Sequence, residues 1–154
     1  MTSSPSAGGR GEGVVVVPVN DELLPRCETL HRQLRPQLPA AYAARMREIM
    51  AHGAEMAVAL VDGAPAGITV FRVLEKTLSR RELYCDDLVT DDRLRSTGVG
   101  AAMMQYMERV AAERGCDVLT LDSGTQRQQA HKFYFREGMV VTSFHFAKPL
   151  APRG

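Results

Sequence analysis

Nothing in this sequence of 154 residues is long and apolar enough to span a bilayer. The longest strongly apolar run, Val14 to Val17, falls far short of the roughly 20 residues a spanning helix needs, so the chain is expected to be soluble. Cysteine is scarce too: Cys27, Cys85 and Cys116 form an odd set with neither CxxC nor Cys/His spacing. That excludes a disulfide framework and a zinc site, and it fits a reducing cytoplasm. Neither sign of charge is in excess, with 19 Lys and Arg against 18 Asp and Glu and a net charge of +1. No overall field argues for nucleic acid or a membrane surface, so the expected partner is a small molecule or a local peptide contact. Residues 1–13 lack an apolar core and are rich in Ser, Gly and Pro, which reads as a flexible N-terminal tail and not a secretory signal. There is no internal repeat.

What is present suits one compact globular domain, with 45% hydrophobic and 24% charged residues. Val14 to Val19 reads as a strand. Leu23, Leu24, Cys27, Leu30 and Leu34 then recur at helical spacing behind a cap at Asn20 or Asp21. Tyr42, Met46, Ile49 and Met50 make a second helical stripe ended by Gly53, with Pro36 and Pro39 between the two. Met56 to Val61, the turn pair Asp62 and Gly63, and Ile68 to Val73 predict a hairpin, and Glu82 to Thr90 a third antiparallel strand. From Gly98 the period becomes helical again through Val99, Met103, Met107, Val110 and Ala111, up to Gly115. Val118 to Leu121 is a short buried strand. Thr125 and Gln128 have capping-box spacing for a helix that carries Ala130, Phe133 and Tyr134 and closes at Gly138. Val140 to Phe146 reads as a last strand.

The chemistry concentrates in the run Asp87 to Gly100. Gly98 and Gly100 let a ligand approach the backbone, and the amides of the helix that follows point at it. The helix dipole and Arg95 favour an anion such as phosphate or pyrophosphate. Two familiar phosphate loops do not fit. The NTPase loop needs Lys and Ser or Thr after its last Gly, where Ala101 and Ala102 stand. The dinucleotide fingerprint needs a third Gly where Met103 sits, directly after its strand, whereas seven residues separate Thr90 from Gly98.

What remains is RxxGxG, Arg95 to Gly100, between a strand and a helix, followed by the block Ala130 to Met139 with Tyr134 at its centre. This pattern resembles the Gcn5-related N-acetyltransferase (GNAT) superfamily over Val14 to Phe146. The resemblance implies an α/β (α+β) fold with a mixed, mostly antiparallel sheet, a central parallel pair of splayed strands and about four helices. Residues 14–150 would form an acetyl-CoA-dependent N-acetyltransferase domain. By the same resemblance, Arg95, Ser96, Thr97, Gly98, Val99, Gly100 and Ala101 would hold the pyrophosphate of acetyl-CoA. Leu88, Val89 and Thr90 would pair with its pantetheine arm through main-chain groups, and Tyr134 aligns with the family's general acid. Three positions depart from the pattern: Ser96 stands where Gly is common, Thr90 where Val is, and Arg127 where Asn is.

Transfer of acetyl to an amine explains these residue types. An amine with a solution pKa near 10.4 must shed a proton before it attacks a thioester. Asp86 is the first candidate to accept it and Glu82 the second. A strand amide at Leu88 or Val89 would meet the oxyanion, and the Tyr134 hydroxyl would protonate the departing thiolate. No metal is required. Cys85, beside Asp86 and Asp87, reads as a packed hydrophobe because like charge disfavours a thiolate, and His131 and His145 receive no role. The alternatives are a non-catalytic acyl-CoA-binding module and, less favoured, a dinucleotide-binding domain. The acceptor, a small-molecule or peptide amine, is not fixed. Glu82, Asp86, Asp87, Asp91 and Asp92 suit a cation, whereas His31, Arg32 and Arg35 suit a carboxylate. Oligomeric state, a homodimer included, also stays open.

Overall fold

The computed structural model describes residues 13–95 and 97–152. Two units divide after Leu121. The expected tail, residues 1–13, lies outside the described residues except for Gly13.

In the first unit the elements run β1 (Val14–Pro18), α1 (Leu23–Arg26), α2 (Glu28–Leu34), α3 (Tyr42–Ala51), β2 (Glu55–Val61), β3 (Ala64–Glu75), β4 (Arg81–Thr90), a short 3-10 turn (Asp92–Leu94), α4 (Val99–Glu113) and β5 (Val118–Leu121). The five strands lie side by side in sequence order. β1 to β4 pair antiparallel and β5 joins β4 in parallel. The β2–β3 hairpin turns through Asp62 (φ 51°) and Gly63 (φ 75°), both left-handed, as a two-residue turn matched to the strand twist requires. The expected first helix is two helices meeting at Cys27, with the backbone amide of Leu23 donating to Asn20 Oδ1 at 2.8 Å, the cap foreseen there.

Each face of the sheet carries its own helical layer. Leu24, Cys27, Leu30, Tyr42 and Met46 from α1 to α3 pack on Met56, Val58, Ile68, Val70 and Val89. On the other face α4 buries Val99, Met103, Met104 and Met107, all at most 1% exposed, each such burial contributing about 1.5–3 kcal/mol. Gly67 permits that approach, since a Cβ there would lie 2.7 Å from Val99 Cγ1.

The second unit, from Asp122, contains α5 (Gln128–Arg136), closed by Gly138 at φ 86°. Three expectations need correction. In the first unit the Val118–Leu121 strand forms but is not buried: Val118 is 40% exposed and the other three residues are half-buried, because the strand pairs on one side only among the described residues. α5 has Arg127 at its N-cap with no side-chain cap bond. Thr125 instead lies inside a turn closed by the Arg127 amide on the Gly124 carbonyl at 3.0 Å, so the Thr125–Gln128 capping pair does not form. Val140 to Phe146 is not a strand. A ladder needs a partner, and the second unit offers no other strand among its described residues; Val140, Val141, Phe144 and Phe146 are 72–90% exposed.

Candidate functional site

β4 carries the site, and one irregularity sets its geometry. Val70 faces Asp87 and Phe71 faces Cys85, so Asp86 is an inserted bulge residue. A bulge breaks the two-residue alternation and can put neighbours on one side. Cys85 lies on the α4 side, 3.6 Å from Thr69, whose hydroxyl also reaches Met107. Asp86 and Asp87 both reach partners on the opposite face. Arg72 Nε lies 3.1 Å from each Asp86 oxygen, and its Nη2 lies 2.5 Å from Oδ2.

Asp87 is bound from α2. His31, 1% exposed, places Nε2 2.7 Å from Asp87 Oδ2 and Nδ1 2.8 Å from the Tyr42 hydroxyl. A neutral imidazole protonated on Nε2 satisfies both contacts, donating to Asp87 and accepting from Tyr42. Arg35 adds Nε at 2.8 Å to Asp87 Oδ1 and Nη2 at 3.3 Å to the Asp86 carbonyl. Burial pushes the Asp87 pKa up, but the hydrogen bonds from His31 and Arg35 outweigh it and hold the carboxyl below its ordinary value. Burial likewise pushes the Tyr42 phenol up.

Glu82 and Tyr84 precede the bulge, with Tyr84 opposite Arg72 and Glu82 opposite Leu74. Glu82 is 5% exposed and accepts from Lys76 Nζ, Ser79 Oγ and Thr120 Oγ1. Burial raises its pKa, yet these three donors together bring it below the usual value. Cys85 is 3% exposed with its thiol pushed to about 12 by burial, the inert packed thiol the sequence suggested.

The expected cofactor segment lies where β4 outruns its neighbour. The β4–β5 ladder ends at Cys85 and Leu121, while β4 continues to Thr90 paired only with β3. This is a splayed pair, and it leaves one main-chain edge of residues 86–90 without a strand partner among the described residues. Val89 buries its side chain among α1 to α3, and the half-buried Leu88 packs toward Val99 and Met103. Asp91 then binds the Arg93 amide at 3.0 Å and the Arg93 guanidinium at 2.8 Å, which sets its pKa at about 2.

Gly98, at φ 90°, is the N-cap of α4, and the first helical bond runs from the Ala102 amide to its carbonyl at 3.0 Å. The amides of Val99, Gly100 and Ala101 precede that bond. Thr97 Oγ1 turns back on the Leu94 carbonyl. Arg95, 67% exposed, pairs with Asp92 at 2.6 Å. Ser96 lies outside the described residues. In the second unit Tyr134 sits on α5, half-buried, its ring meeting Phe133 edge-on at 5.6 Å. Thus β4 gathers Glu82 and Asp86, and leads through Leu88, Val89 and Thr90 to the Gly98 loop. Arg72, Tyr84 and the His31–Tyr42 pair escaped the sequence reading. One signal was available: two successive Asp in an apolar strand cannot alternate onto one face without a bulge.

A mixed sheet whose single parallel pair parts beside a glycine-opened helix is the fold of the GNAT acetyltransferases. An aminoglycoside N-acetyltransferase solved in complex with CoA has this fold at a TM-score of 0.81, with 19% identity over 89% of this chain and 94% of that one. The family model "Acetyltransferase (GNAT) family" matches residues 21–139, and the chain belongs to that family. Among curated relatives it is 38% identical over 69 residues to the uncharacterized N-acetyltransferase YhdJ of Bacillus subtilis, covering 44% of this chain and 49% of that protein. It is 31% identical over 64 residues to an aminoalkylphosphonate N-acetyltransferase of Salmonella typhimurium, covering 42% of each. The matches span about half the length of these curated relatives.

Proposed function

We propose that the protein is an N-acetyltransferase that moves acetyl from acetyl-CoA directly to a primary amine in a ternary complex. The observation that carries the reading is the free edge of β4 beyond Cys85, running straight into the Gly98-capped start of α4. An extended pantetheine arm suits a strand edge, and a pyrophosphate suits open first-turn amides at a positive helix end. CoA bound to a structural relative and the N-acetyltransferase names of the curated relatives support the same donor.

Bound acetyl-CoA would supply the activated acetyl thioester. Leu88, Val89 and Thr90 would hold the arm by main-chain groups; Arg95, Ser96, Thr97, Gly98, Val99, Gly100 and Ala101 would hold the pyrophosphate. As the amine nitrogen bonds to the acetyl carbon, its proton passes to Asp86 or Glu82, directly or through water. Both carboxylates carry donors, but neither is saturated, because a carboxylate offers about four lone-pair sites. The amide of Leu88 or Val89 would meet the oxyanion, and the Tyr134 hydroxyl would give its proton to the sulfur as the C–S bond breaks. The chemistry asks for no metal. A small-molecule amine is the acceptor class that the curated aminoalkylphosphonate relative supports. Three free thiols, two of them buried, support a cytoplasmic setting.

The test is release of free CoA thiol across an amine panel, with Tyr134→Phe assayed alongside. Loss of about 100-fold in kcat with acetyl-CoA affinity retained is expected for that variant, in the range of general acid catalysis. Unchanged turnover removes Tyr134 from the mechanism. Acetyl-CoA binding without turnover on any amine identifies a binding module instead.

A further inference from the structure

Four carboxylates on the α1–α3 side, Asp86, Asp87, Glu82 and Glu48, each pair with an Arg or Lys. Asp86 is held by Arg72, Asp87 by Arg35 and His31, Glu82 by Lys76, and Glu48 by Arg45 at 2.8 Å. A polycationic acceptor needs uncompensated negative charge, and this wall offers none among these residues. Between α3 and β3, next to the Arg72–Asp86 pair, lies an open hollow of about 350 Å³ lined by Arg45, Glu48, Ile49, His52 and Arg72. Its cations retain donors. Arg45 gives only Nη1 to Glu48, and Arg72 engages Asp86 through Nε and Nη2, which leaves Nη1 without a hydrogen bond among the described residues. Asp86 fixes the Arg72 fork in place, so an arriving anion meets a guanidinium that is already ordered. His52, whose Nδ1 lies 2.8 Å from the Glu48 carbonyl, adds a ring edge to the same hollow.

We propose that this hollow receives the anionic group of the acceptor, so that the substrate is a small amine bearing one carboxylate, phosphonate or phosphate. The inference rests on the acetyl-transfer reading and narrows it. An anion bridging Arg45 and Arg72 leaves the amine end of the same small molecule beside Asp86, the first candidate for its proton. The arrangement selects a zwitterion by charge complementarity, and it rejects polyamines by presenting guanidinium groups where their second ammonium would fall.

The test is initial-rate kinetics on the full chain at saturating acetyl-CoA with aminoethylphosphonate, β-alanine, ethanolamine and spermidine. The expected result is that kcat/KM for the better of the two anionic amines exceeds that for ethanolamine and spermidine by about 100-fold, as for a site with polar groups left unpaired by the wrong substrate. Arg45→Gln, a change at a half-exposed side chain, should raise the KM of the anionic amines about tenfold and close much of that gap, with the affinity for acetyl-CoA retained. A lead for ethanolamine or spermidine, or an Arg45→Gln enzyme with the gap intact, overturns the proposal while leaving acetyl transfer standing. No turnover of any of the four amines also overturns this proposal, whereas the transfer reading falls only if the whole amine panel is inert with acetyl-CoA bound.

Discussion

Asp87 shows how one side chain ties two layers together. Its carboxylate joins β4 to α2 through His31 and Arg35, and His31 passes the connection to Tyr42 on α3. Removing one partner of a buried charged pair is costly because the other is left uncompensated. Asp87→Asn should therefore destabilise the fold by about 2–3 kcal/mol at neutral pH, the range of hydrogen bonds to charged groups. The pH dependence has a definite sign. A carboxyl held below its ordinary pKa contributes stability above its unfolded value, about 3.9, and loses it as pH falls through the folded value. Denaturant melts should find the gap between wild type and Asp87→Asn full above about pH 5 and closing below pH 4. A gap constant down to pH 3 would show that packing, not charge, carries the effect. At this scale the sequence named Asp86, Asp87, His31 and Arg35, but it set His31 and Arg35 against an acceptor carboxylate, whereas they bind Asp87, and it left out Arg72. Arg72 and His31 lie 14 and 56 residues away from Asp86 and Asp87, and only the strand register and the bulge bring them together.

Among the elements, α4 is the most legible and the most exposed to a single substitution at its start. Its apolar stripe and both terminal glycines follow from the 3.6-residue period, and the structure keeps all of them, with Gly98 at φ 90° and Gly115 at φ 67°. A side chain at Gly98 would meet the left-handed penalty of about 1–2 kcal/mol. Gly98→Ala should lower stability by that amount, and it should also weaken acetyl-CoA binding, because relief of the strain would turn the first-turn amides. Calorimetry reads the second effect independently of the melt, and a variant of lower stability with unchanged affinity would separate the cap from the proposed pyrophosphate cradle. β-rich composition proved less reliable than helical period. Met56 to Val61 and Ile68 to Val73 formed strands because each had a neighbour supplied by the Asp62–Gly63 turn. Val140 to Phe146 has similar composition and no ladder. α5 illustrates the other gap: the capping spacing of Thr125 and Gln128 was real as a pattern, but a turn closing at Arg127 claimed Thr125 first.

For the molecule as a whole, the proposed donor site spans elements that stability assays report together. The free edge of β4, the 3-10 turn and the start of α4 belong to one unit, which packs a hydrophobic cluster on each face of the sheet. A ligand that binds the folded state alone stabilises it by RT ln(1 + [L]/Kd), about 2.7 kcal/mol at one hundred times Kd. For a chain of this size each kcal/mol moves Tm by about 2–4 °C. Acetyl-CoA at that excess should therefore raise Tm by about 5–10 °C. NAD at equal concentration should leave it in place, since the third glycine of a dinucleotide loop is replaced by Met103, which α4 buries completely against the sheet. Pantetheine without its nucleotide should give a smaller shift, because it would engage the β4 edge and not the α4 amides. A shift from NAD that matches acetyl-CoA, or none from either, would remove the CoA reading from the Gly98 loop, whatever the family resemblance implies about the rest of the chain.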